Sequence, residues 1–204
     1  MNKMTRKITV AFVGIVCVAA LILVLYNMLV QGKLTSSRDA ATTSTEISKL
    51  LEKDLDDRYP DTPTEVVKLY WRLNKCMYNS SMSDKNFEGL LKQLRKLYDE
   101  ELLAEEDNSW DQMLKNFKKD KNEYNKKKRT ISNYTVQQNS TVQYGDLDGK
   151  EGATVITGTL MKEKSDRKQT YEKFICRKDE QGKWRILGWE QVTDENEISV
   201  LGED

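Results

Sequence analysis

The sequence predicts an α+β domain displayed behind one N-terminal transmembrane helix. Three observations carry this expectation. Residues 8–30 are an uncharged, almost wholly apolar run. From residue 46 to about 128 apolar positions recur at helical spacing, and from 131 to 193 they alternate as in strands. Helices first and strands afterwards mean segregated layers, with an antiparallel sheet covered by helices on one face.

The apolar run, ITVAFVGIVCVAALILVLYNMLV, holds no charge and a single amide, Asn27. At 1.5 Å per residue its length suits a hydrocarbon core of about 30 Å. Lys3, Arg6 and Lys7 precede it, which predicts a cytoplasmic N-terminus and an extracytoplasmic C-terminal domain in the cell membrane. A cleaved signal peptide fits less well, since the core is long and no small-residue cleavage site follows it. Cys17 follows Val16 in mid-segment, so a lipoprotein site is not suggested.

Residues 31–45 are small and polar and read as a tether. Ile47, Leu50, Leu51 and Leu55 then predict a short amphipathic helix, packed on the domain or paired with a partner, so the tether with its helix covers 31–59. The domain is expected over 60–193. Thr62 as cap, Pro63 and Glu65 open a helix with a capping box and a stripe from Val66 to Met77. A second helix starts after Ser83 or Asp84, and residues 99–104 form a short turn. A third helix opens at Ser109, with Gln112 as a second capping-box partner. Four strands follow as a meander: 131–144, 152–164, 168–178 and 183–193, with turns at 145–149, 164–167 and 179–182. Trp189 is out of phase with Trp184 and Ile186 unless Gly188 marks a bulge. The acidic tail, 194–204, is expected to fray.

The helix TPTEVVKLYWRLNKCMY and the closing hairpin GKWRILGWEQV resemble the nuclear transport factor 2-like superfamily. The blocks LYDEELLAEE and NKKKRTISNY resemble small membrane-anchored proteins of Gram-positive anaerobes. The resemblance covers about 60–193. It implies a cone in which a curved four-stranded sheet wraps three helices. Enzymes of that fold place His, Asp or Tyr in the cone mouth, and no acid here matches such a motif.

Composition narrows the chemistry. The chain contains no histidine, which excludes Ser-His-Asp and Cys-His triads. Beyond residue 30 acids outnumber cations by three, which argues against a nucleic-acid partner. Cys76 and Cys176 either pair or are buried thiols. No cofactor or metal motif is found. The acidic run from Asp99 to Asp107 lacks calcium-loop spacing, and Asp146-Leu147-Asp148-Gly149 reads as a hairpin turn. Three Asn-x-Ser/Thr matches, at Asn79, Asn133 and Asn139, are read as chance.

Two sets of candidate site residues emerge. Lys118, Lys119, Lys121, Lys126, Lys127, Lys128 and Arg129 form either an anion-binding face, for lipid or wall polymer, or a solvated helix end. Tyr144, Tyr171, Phe174, Trp184 and Trp189 line a pocket or fill the core. The leading functional expectation is a non-enzymatic interaction or scaffold module of the cell envelope with a protein partner. The alternatives are a small-ligand or enzymatic pocket and an electrostatic binder of anionic lipid or wall polymer.

Overall fold

A computed structural model describes residues 43–202. The predicted span over 8–30 and most of the tether lie outside the described residues. Among the described residues no helix is long and apolar enough to cross a membrane. The chain divides at Thr45–Glu46, and the unit from Glu46 to Asp204 has its own core.

Residues 43–51 are helical (α1). Ile47 and Leu50 of α1 are buried in the core, because a stripe at helical spacing has one face to hide, and Leu55 in the turn that follows is buried with them. α2, Pro63–Asn79, is the central helix. The hydroxyl of Thr62 accepts from the backbone N–H of Glu65 at 3.2 Å, and Pro63 sits in the first turn. The carboxylate of Glu65 reaches back to the N–H of Asp61. α3, Asp84–Arg95, is capped by Ser83, whose hydroxyl accepts from Asn86. The predicted turn at 99–104 is a helix, α4, Glu100–Ala104, capped by the Asp99 carboxylate. α5, Trp110–Lys127, starts where expected but without its capping box. Ser109 makes no side-chain cap, and Gln112 bonds Asn116 instead.

The sheet has five antiparallel strands, not the four expected: β1 Arg129–Val136, β2 Gln143–Leu147, β3 Lys150–Glu163, β4 Asp166–Lys178 and β5 Trp184–Val192. The predicted strand over 131–144 is two pieces. β1 pairs with the later half of β3 and β2 with its first half. Between them the chain leaves the ladder in a 3-10 turn, Asn139–Thr141. Gln137 spans the gap. Its amide oxygen accepts from Ile156 N–H at 2.9 Å, and its amide nitrogen donates to the Thr141 carbonyl at 2.7 Å.

The β2–β3 hairpin closes through Asp148 and Gly149, both with positive φ, so only two residues make the turn. In β5, Ile175 pairs with Gly188 and Cys176 with Ile186, which leaves Leu187 as an extra residue. This is the bulge that returns Trp189 to the face of Trp184 and Ile186. The outer edge of β5 is bridged at Ile186. The N–H of Asp99 donates to Ile186 O at 2.8 Å, and Ile186 N–H donates to Leu97 O at 2.8 Å.

α2 lies against β1, β3 and β5, with α3 and α5 beside it. Leu73, Met77, Leu90, Leu94, Val155, Phe174 and Ile186 fill the space between the layers. Over its described residues, 194–202, the tail that was expected to fray is folded. Asp194 caps a short helix, α6 (Glu195–Ile198), and a 3-10 turn follows, Ser199–Leu201. It lies on the other side of β3, where Leu201 approaches Gly158, and Glu197 pairs with Lys173 at 3.3 Å. Both described cysteines are free and buried. Burial pushes the Cys176 thiol up to about 12, so it stays protonated and inert.

Candidate functional site

The sheet face turned toward α2 carries the clearest constellation. Phe174 of β4 is fully buried at its centre. Tyr70 of α2 meets it edge-on at 5.0 Å, and Trp71 does so at 6.3 Å. Trp189 stacks on it at 5.8 Å and also meets Tyr70 at 5.7 Å and Tyr98 at 6.0 Å. Yet Trp189 is 41% exposed. A large ring fixed by three others and still open to solvent is a platform rather than a core residue.

Polar groups flank the rings. The register aligns Thr157 of β3 with Glu172 of β4, and Thr159 with both Tyr134 and Thr170. Trp71 stacks on Tyr134 at 6.2 Å, which puts its indole near Thr159. Trp71 Nε1 and Thr159 Oγ1 are both buried without a hydrogen-bond partner. An orphaned buried donor costs about 1–3 kcal/mol, so a pair of them calls for explanation. Burial raises the carboxyl of Glu172 above its ordinary value. Among the described residues it has no ion-pair partner. Burial also raises Tyr70, with the neighbouring Tyr98 and Glu172 charges adding to it, so this phenol stays protonated. The face can stack a ring or an apolar sheet of atoms, donate two hydrogen bonds and accept through one carboxylate.

The five aromatics expected on the strands are therefore divided. Phe174 and Trp189 meet at the platform. Trp184 is core, with the Lys178 ammonium 5.0 Å from its ring centre. Tyr144 is 48% exposed, 5.7 Å from Trp184, and its hydroxyl bonds Asn139. Tyr171 lies on the opposite face, against Gly158. Tyr70, Trp71, Tyr98, Tyr134, Thr157, Thr159 and Glu172 were not singled out from the sequence as site residues. The register and the packing of α2 assemble them, and only Tyr70, on the apolar stripe of the first predicted helix, and Tyr98, on the buried face expected for the second, gave a signal.

The basic run is also divided. Lys118 is paired with Glu88 at 3.0 Å and Asp84 at 3.4 Å. Lys121 donates to the carbonyls of Met77, Tyr78 and Ser80, which closes the C-terminus of α2. Arg129 pairs with Glu163 at 2.6 Å. Lys119, Lys126, Lys127 and Lys128 are exposed. A cavity of about 580 Å³ beside Lys118 and Lys121 is lined also by Asn79, Asn122, Asn125 and Phe87.

A second cavity, about 330 Å³, lies on the far side of the sheet between α4 and the β4–β5 turn. Its base is Arg177, only 4% exposed, which bonds Asp99 through two nitrogens at 2.6 and 3.2 Å and reaches Glu101 at 3.0 Å. Arg185 pairs with Asp179 at 2.7 Å. These charges satisfy one another, so the cluster is a latch between α4 and the sheet. Among the described residues no group of three metal-binding side chains is found.

No curated protein matches the sequence. Residues 1–189, from the apolar N-terminal run through the stacked Trp189, match the family described as a domain of unknown function (DUF6715), and the chain belongs to that family.

Proposed function

We propose that this chain is a non-enzymatic, membrane-anchored binding module of the cell envelope, facing outward, whose partner docks on the Trp189 platform. The observation that carries the reading is the exposed Trp189 ring held rigid by Phe174, Tyr70 and Tyr98. Rigid, half-exposed aromatics are the residues on which binding energy concentrates. The uncharged run over 8–30 and the cations before it support the anchor and its direction. Helices on one face of an antiparallel sheet with a bulged last strand support kinship with the nuclear transport factor 2-like cone, and the blocks LYDEELLAEE and NKKKRTISNY support kinship with membrane-anchored proteins of Gram-positive anaerobes.

The test is a photo-activatable residue placed at 189 in the native membrane, with the same residue at Glu180, on an exposed turn, as control. A discrete adduct from 189 alone supports a docking partner. Adducts that match those from position 180 overturn it.

The orphaned donors at Trp71 and Thr159 and the carboxylate of Glu172 favour a second reading, a small ligand held beside the platform. Such a ligand offers acceptors to the indole and hydroxyl and an apolar face to the rings, as a sugar does. Native mass spectrometry of the purified chain reads it directly. A bound small molecule lost in Trp71→Phe supports it; the same mass in both, or none, sinks it.

A further inference from the structure

The far end of α5 carries Lys126, Lys127 and Lys128, all exposed. Arg129 follows at the start of β1, where the register sets it against Glu163. That pairing draws the β3–β4 hairpin to the end of the helix. The hairpin adds Lys162, Lys164, Arg167 and Lys168, also exposed. Glu163 records the convergence. The hydrogen bond from Arg129 holds its carboxyl below the ordinary value, and Lys127 and Lys164 add to that by their charge. Among the described residues none of these seven cations is in an ion pair, and Asp166 is an acid at the tip. In the sequence the two basic stretches are more than thirty residues apart, and only the fold joins them.

The other end of α5 is the reverse. Glu100, Glu105, Glu106 and Asp107 are exposed there. An 18-residue helix spans about 27 Å, so opposite charges lie nearly a domain's width apart.

We propose that the basic end is the face this domain turns toward an anionic lipid bilayer, with phospholipid headgroups as its ligand and the acidic end directed away. Several features match that partner. Six of the seven cations are lysines on long stems, which suit a diffuse planar charge better than a fixed phosphate pocket. Their number is that of a cluster that reads acidic lipid. Among the described residues no exposed aromatic is interleaved with them, as single-stranded nucleic acid would need. The same surface repels the acidic end, so attraction and repulsion select one orientation. The inference rests on the anchor proposed above only for keeping the bilayer within reach.

The test uses the full chain with vesicles of phosphatidylcholine, pure or mixed with phosphatidylglycerol. An environment-sensitive dye is attached at the hairpin tip through Ser165→Cys, or at the acidic end through Glu106→Cys. The expected result is a blue shift at 165 only with phosphatidylglycerol, reversed by salt, and silence at 106. Replacing Lys127, Lys128, Lys162 and Lys164 by Gln is expected to lower the contacting fraction at least about tenfold, with circular dichroism unchanged. A shift that is equal in neutral vesicles, or survives the four Gln replacements, overturns the proposal. So does binding of soluble polyglycerol phosphate without any vesicle contact, which assigns the face to a wall polymer. Flotation separates the two readings. A chain that floats with phosphatidylglycerol vesicles but not with neutral ones refutes the anchor and supports the basic face.

Discussion

Glu172 is a carboxylate beside aromatic rings, and among the described residues no ion pair offsets its burial. Its carboxyl is raised, so the folded chain holds that proton more tightly than the unfolded chain does. The penalty is therefore absent below the ordinary carboxylate range and grows as pH rises through the raised value. Glu172→Gln is expected to raise the melting temperature at pH 7, with the gain shrinking to nothing as the pH falls below about 4. Melts of both proteins across that range check it; a constant gain at every pH refutes the cause. Arg177 poses the opposite case, a buried cation held by two acids. Arg177→Met leaves Asp99 buried and uncompensated, and is expected to cost about 3–5 kcal/mol in urea unfolding. Adding Asp99→Leu to it should recover part of that loss, but not the cap that Asp99 gives α4. Neither role was legible in the sequence. Asp99 and Arg177 are separated by 78 positions, and each alone reads as an ordinary surface charge.

Elements were legible where local chemistry is strong. The Thr62 cap and the stripes that follow it and Ser83 predicted what forms, and the phase break near Gly188 pointed to the bulge that the structure puts at Leu187. Residues 131–144 misled because their composition stays strand-like across a break that a single side chain bridges. Gln137→Leu is expected to strand the Ile156 N–H and the Thr141 carbonyl, at about 2–3 kcal/mol, measured by denaturant titration. A loss within a few tenths of a kcal/mol would mean that water replaces the amide. The tail misled for a related reason. Its acids predicted exposure, while Ile198, Val200 and Leu201 among them supply a side to bury.

At the scale of the whole domain, the helices over the sheet were legible from element order alone, and the platform was not. Its rings come from α2, the turn at Tyr98 and two strands, and only their packing brings them to one place. The same holds for the basic end, built from a helix terminus and a hairpin. Core membership also extends upstream. Ile47, Leu50 and Leu55 are buried, each contributing about 1.5–3 kcal/mol. A chain that starts at residue 60 is expected to lose roughly 5 kcal/mol or more and to melt about 10–20 °C below one that starts at residue 46. Equal melting temperatures would refute the contribution of residues 46–59.

The strip Leu97–Asp99 that bonds the edge of β5 at Ile186 belongs by sequence to the helical half. Tyr59, from the same half, donates its hydroxyl to the carbonyl of Trp184 at 2.7 Å. Both contacts stitch the first-synthesised half to the last strand. The edge of β5 at Ile186 and Trp184 is then satisfied only while the helical half is folded, and melting one half exposes the other. Helices and sheet should therefore unfold in a single cooperative step, with equal calorimetric and van't Hoff enthalpies, rather than peel apart layer by layer.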